Sequence, residues 1–132
     1  MVLEVGMALS NYLANELLDH TLRNSAYTPP TTVYLALFTV MPDVNGAGGT
    51  EVTGGSYARQ AVTFGAASGG IAASTAAITF SSMPAAVVVG AALYDALTVG
   101  NMLHFGPWGS YSTITAATDF VVAVADVVAV MR

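Results

Sequence analysis

The stretch YTPPTTVYLALFTVMP, residues 27–42, constrains the fold more than any other. From Thr32 to Thr39 it alternates Val33, Leu35 and Leu37 with Tyr34, Ala36 and Phe38. β-Branched and aromatic residues at period 2 fit a pleated surface and fit a helix poorly. Both faces are apolar, so the segment predicts a strand covered on both sides and placed centrally in its sheet. Pro29-Pro30 fixes two φ angles just before it, and Pro42 removes a ladder donor just after it.

The rest of the chain is hung on that strand. Upstream, Ser10 is an N-cap and Asn11 to Arg23 has helical spacing, with Leu13, Leu17, Leu18 and Leu22 as one apolar stripe. Asp19 and Arg23 stand four apart in the favourable order, and Asn24-Ser25 ends the helix. Downstream, Asp43 to Ser56 reads as a long loop without core residues, turning at Asn45-Gly46. Further strands are expected over Tyr57–Phe64, Thr75–Phe80, Ala86–Ala96 and Met102–Trp108. The closing stretch Thr118–Met131 reads as one strand, with Phe120, Val122, Val124, Val128 and Val130 on one face. The expected architecture is mainly β with one N-terminal helix (α+β), an antiparallel β-sandwich or open barrel. Residues 1–6 are read as an extension and 7–132 as a single β-rich domain with a helix over 10–24.

Charge decides which functions remain. Only 8% of residues are charged, lysine is absent, and the net charge is −5. Nucleic-acid binding needs clustered cations, so it is excluded as an expectation. The uncharged run from Gln60 to Tyr94 is broken by Gly, Ser, Thr and Pro84, so no membrane-spanning helix can be drawn through it. So few charges cannot clothe an isolated monomer well, which predicts a surface covered by other subunits; the competing reading is a robust Ala- and Gly-rich monomer.

No catalytic, cofactor or metal site is expected. His20 and His104 lack companion ligands at any metal spacing, and both read as structural, His104 hydrogen-bonded within or beside the sheet. The glycines after Asn45 lack the strand–GxGxxG–helix context of a phosphate loop. Ser68-Gly69-Gly70 lacks an elbow context and an acid–histidine pair. Trp108, after Gly106-Pro107, reads as a core or interface plug. With no cysteine, thiolate chemistry is impossible.

Four segments carry a resemblance: MALSNYLANELLDHTLRN (7–24), YTPPTTVYLALFT (27–39), NGAGGTEVTGGSYARQAVTF (45–64) and ITF (78–80). In order and spacing they resemble a family of small tailed-bacteriophage virion structural proteins, commonly labelled tail-fibre proteins. LYDALTVGNMLHFGPW (93–108) resembles the same family more loosely. The resemblance implies a virion component without an enzymatic site. Within it, a capsid decoration (cement) protein on the shell surface is the first expectation, with a chain of 132 residues leaving no room for a fibre shaft. A tail or tail-fibre subunit is the alternative, and a carbohydrate-binding receptor module a third. The partners expected are further copies of the chain, as a homotrimer, and the major capsid protein or, alternatively, tail proteins. The candidate interface residues are Val2, Leu3, Asn45, Gly46, Glu51, Val52, Val124 and Val128.

Overall fold

A computed structural model describes residues 5–131. Ten strands and one helix follow in order: β1 (Val5–Leu9), α1 (Asn11–Leu22), β2 (Val33–Val40), β3 (Thr50–Glu51), β4 (Gln60–Val62), β5 (Ile71–Ala73), β6 (Ile78–Met83), β7 (Ala86–Tyr94), β8 (Met102–Ile114), β9 (Thr118–Val122) and β10 (Val127–Val130). Eight strands form one open sheet in the order β3-β2-β7-β8-β1-β10-β5, with β4 also paired to β2. The remaining two, β6 and β9, form a small second sheet. Ladders are antiparallel except for β1 and β10, which run parallel from Val5↔Val127 to Met7↔Ala129. The far ends of the large sheet approach each other through the bridge Phe64↔Ser74 and the bonds Gly65 N–H to Ala73 carbonyl (3.0 Å) and Thr75 N–H to Thr63 carbonyl (2.9 Å). The sheet nevertheless stays open.

β2 occupies the central place its two apolar faces require. It pairs with β7 from Tyr34↔Tyr94 to Phe38↔Gly90 and carries β4 and β3 along its other edge. Leu35 and Leu37 enter the main core with Val88, Leu93, Trp108 and the inner residues of the small sheet, Ile78, Phe80, Phe120 and Val122. Ala36 and Phe38 enter a second core on the opposite face, with Ala92, Tyr94 and Met102. That face is closed by the turn after β2. Met41 packs over Gly90, where a Cβ would stand 2.3 Å from its sulfur and 2.6 Å from the Gly106 carbonyl oxygen. Only glycine fits there.

Helix α1 closes one end of the main core. Ser10 is extended (φ −72°, ψ 161°), and its Oγ accepts the Leu13 N–H at 3.1 Å, as an N-cap should. The same hydroxyl donates to the Met102 carbonyl, and the Ser10 N–H to the Leu103 carbonyl, which locks the helix onto β8. Leu13 and Leu17 pack on the core. Leu18 and Leu22 do not, so the expected four-leucine stripe is only half buried. Arg23 pairs with Asp19 at 3.2 Å, and Asn24 ends the helix in the left-handed region (φ 55°).

Several expectations are corrected. The closing stretch is two strands on different sheets: β9 pairs with β6, while β10 pairs with β1 and β5. The chain turns between them, with Ala125 at φ 65° and the Asp126 N–H bonded to the Ala123 carbonyl. Phe120 and Val122 point inward, but the next buried residue is Val127, so alternation slips by one across the turn. Val124, expected on the inner face, is in consequence 55% exposed. The loop 43–56 was expected to lack core residues; Val52, donating its N–H to the Leu37 carbonyl, is 3% exposed and belongs to the main core. Strands β1, β3 and β5 arise where no strand was expected. Of the expected extension, Val5 and Gly6 belong to β1, and residues 1–4 lie outside the described residues.

Candidate functional site

The densest polar arrangement among the described residues is built on Arg59, just before β4, and Glu51 in β3. Glu51 and Arg59 lie on either side of the turn at Gly54-Gly55, whose positive φ angles (95° and 55°) fold the two segments back on each other. Arg59 is 9% exposed. Its Nε donates to Glu51 Oε1 at 3.0 Å and its Nη2 to Oε2 at 2.9 Å, a bidentate pair. Its Nη1 donates to the carbonyls of Ala96 (3.0 Å) and Val99 (2.7 Å) in the β7–β8 turn. The guanidinium lies 3.8 Å from the centroid of the Tyr94 ring. Tyr57 completes the cluster: its hydroxyl donates to Glu51 Oε1 at 2.8 Å and accepts the Leu37 N–H at 2.9 Å.

The electrostatics follow from that packing. Burial acts to lower the Arg59 pKa, but the hydrogen bonds and charge of Glu51 outweigh it and the value is raised. Burial pushes the Tyr57 hydroxyl far up, and the neighbouring carboxylate adds to the rise. Both groups therefore hold fixed protonation states across the biological range. Four of the five guanidinium N–H donors are used within the chain, and both Glu51 oxygens are occupied. No member is free to act as an acid, base or nucleophile. The arrangement is a clamp that ties β3, β2 and the β7–β8 turn together.

What the clamp presents is the turn itself. Asp95 accepts the Asn101 N–H at 2.7 Å and the Asn101 amide at 2.9 Å, and Arg59 holds the two carbonyls between them. Leu97 and Val99 project from this fixed turn into solvent. A cleft of about 410 Å³ lies beside it, walled by Thr53, Tyr57, Leu97 and Val99 among others.

The described residues among those expected at interfaces are dispersed. Val2 and Leu3 lie outside the described residues. Asn45 is exposed at a turn organised by Asp43, whose Oδ1 accepts the N–H groups of Asn45 (2.8 Å) and Ala47 (3.0 Å). The Asn45 side chain accepts from Asn11 at 2.8 Å, and Gly46 sits against Met102 with φ 82°. Glu51 is in the clamp and Val52 in the core. Val124 is on the β9–β10 turn, and Val128 is half-buried in β10 opposite Gly6 and Ala73. The six described ones do not form one patch. The Glu51–Arg59 pairing was not anticipated, although two opposite charges flanking a Gly-Gly turn in a charge-poor chain were a signal for it.

His104 and Trp108 also carry unforeseen features. His104 is half-buried where β8 meets both β1 and β7, and its Nε2 has no hydrogen-bond partner. Burial lowers its pKa. Trp108 is a core residue packed edge-on against Phe120 (6.3 Å between centroids), with its indole N–H unpartnered. Among the described residues, no group of three or more His, Cys, Asp or Glu could hold a metal ion.

A search of curated proteins found no match. Residues 8–129 match the family described as podophage GP4 fiber I protein gp80. The match extends from the end of β1 almost to the end of β10, well past the N-terminal half in which the sequence likeness was concentrated. The family description names a fiber protein, which gives the chain a structural role. By a match that takes in nearly the whole fold, the chain belongs to the podophage GP4 fiber I protein gp80 family and is a fiber-type structural protein of the phage virion.

Proposed function

We propose that the chain is a structural subunit of the tail fibre apparatus, contacting further copies of itself and neighbouring tail proteins. The observation that carries this reading is the family match over residues 8–129, which spans every element from α1 to β9, the last two residues of β1 and most of β10. The capsid-decoration reading rests on the small size of the chain and on the scarcity of charge; a small subunit can join a fibre without forming its shaft, and covered surface is expected at either position. The described residues form one two-sheet unit closed at one end by a helix, so the contribution to a fibre is a compact joint or knob.

Phage particles lacking the chain test this. The tail reading predicts defective adsorption or missing fibre density, with heat-triggered DNA release at the normal temperature. A decoration protein stabilises the assembled shell by mass action. Early DNA release with normal adsorption would therefore reject the tail reading in favour of the shell.

A further inference from the structure

Val99 is held in a conformation that its side chain disfavours. Its φ is 57° and that of Gly100 is 73°. A β-branched residue in the left-handed region is strained, whereas Asn-Gly adopts two successive positive φ angles readily. Gly100 is explained locally: a Cβ there would lie 2.5 Å from Asp95 Oδ1 and 2.7 Å from the Ala96 Cβ. Val99 is not. At 85% exposure its side chain contributes nothing to either core, and it is the most exposed large apolar residue among those described. Strain kept at an exposed apolar side chain points to a contact outside the chain. The turn is also immobilised, since Arg59 holds the carbonyls of Ala96 and Val99 while Asp95 holds Asn101. A fixed apolar tip loses little conformational freedom on docking.

A fitting receptor lies on the same chain. A groove of about 410 Å³ runs between α1 and the ends of β1 and β10, lined by Leu9, Ala14, Leu17, Leu18, Thr21 and Met131. Thr21 is its one polar residue, and Thr21 Oγ1 is already bonded to the Leu17 carbonyl at 2.8 Å. By helical spacing, Glu16, Asp19 and Arg23 project from the opposite side of α1. Copies with a net charge of −5 repel one another over most of their surfaces. Leu97, Val99 and the described residues that line the groove carry no charge, so these side chains can meet without burying a carboxylate. Their chemistry is complementary, aliphatic side chains into an aliphatic slot.

We propose that Leu97 and Val99 of one copy seat in the α1 groove of a second copy. Tip and groove are different surfaces, so the contact is head-to-tail and gives each copy two neighbours, closing a ring if the rotation allows. It concerns copies in solution and stands apart from where on the virion the protein sits.

The absence of cysteine makes the test direct. Chains carrying Val99→Cys and chains carrying Leu18→Cys are oxidised separately and as an equal mixture at micromolar concentration. The proposal expects disulfide-linked dimers in the mixture far in excess of either variant alone. Equal or faster linking within Val99→Cys alone or Leu18→Cys alone means a symmetric contact and overturns it. No linking in any sample, with monomers by sedimentation, overturns it too. In parallel, Val99→Asn should raise the melting temperature by about 4 °C by relieving strain, and weaken self-association about tenfold or more. A stabilised variant that associates as well as the parent chain, or one that melts lower, contradicts the argument.

Discussion

Arg59→Met removes the centre of the clamp and tests whether it holds the fold. The substitution keeps an unbranched side chain of similar reach but deletes the bidentate pair with Glu51, the two bonds to the Ala96 and Val99 carbonyls, and the contact with the Tyr94 ring. Removing one partner of a fully buried ion pair costs about 3–5 kcal/mol, because the other charge is left without compensation. Glu51 retains 26% side-chain accessibility, so water reaches the orphaned carboxylate. The loss therefore falls at the lower end, about 3 kcal/mol. Domains of this size have about 5–15 kcal/mol in total, so the variant folds but is weakened. With a urea slope of about 2 kcal/mol per molar, the unfolding midpoint drops by about 1.5 M. Adding Glu51→Gln removes the orphaned charge while leaving Tyr57 an acceptor, and should restore more than half of the loss. A single variant within about 0.5 kcal/mol of the parent would refute the reasoning, since that is the scale of an ordinary surface change. So would a double variant no more stable than the single one.

Gly90→Ala should destabilise by about 2–3 kcal/mol or prevent folding, because its Cβ would meet the Gly106 and Pro107 backbone as well as the flexible Met41 side chain; a melting temperature equal to the parent's would contradict the packing of the second core. Val88→Asp should abolish folding, since Val88 is fully buried, whereas Val124→Asp on the exposed β9–β10 turn should change stability by no more than about 0.5 kcal/mol. Circular dichroism melts of both variants check this, and equal effects would mean that the split of the closing stretch is wrong. His104 gives a pH dependence. Its folded pKa lies below the ordinary 6.5, so below that pH the unfolded chain binds a proton that the folded chain does not, and stability falls until the folded pKa is also passed. Denaturation at stepped pH should show this loss in the parent and a shallower one in His104→Phe; identical slopes would remove His104 as the cause.

What was legible from the residues was what lives on one element. The alternation Val33–Phe38 gave a central strand with two apolar faces, and both faces bury. Ser10 gave the cap, and the helix, strand and turn segments of the N-terminal half carried the likeness to a virion structural family that the match over residues 8–129 extends. What escaped depends on pairings far apart in sequence. β1 is held by β8 and β10, about a hundred residues away, and nothing within VGMAL announces a strand. β3 and β5 are two and three residues long and exist only because β2 and β10 offer edges. The closing stretch was misread because valine and alanine fit either face, so the one-residue slip at Ala125-Asp126 left no mark in the pattern. Val52 was placed in a loop by the glycines around it, yet a single buried side chain at the edge of β3 was enough to draw the loop onto the core. The clamp was the costliest omission for function: Glu51 and Arg59 flanking Gly54-Gly55 signalled a pair, but the carbonyls of Ala96 and Val99 that complete it come from a turn about forty residues on.

As a proposed subunit of the fibre apparatus the chain should sit at the tail, and its position on the particle decides between tail and shell. Electron microscopy of intact phage carrying a gold-labelled version of the chain should place the label at the tail, on or at the base of the fibres. Label distributed over the capsid shell, with none at the tail, would make the chain a shell protein and not a fibre subunit.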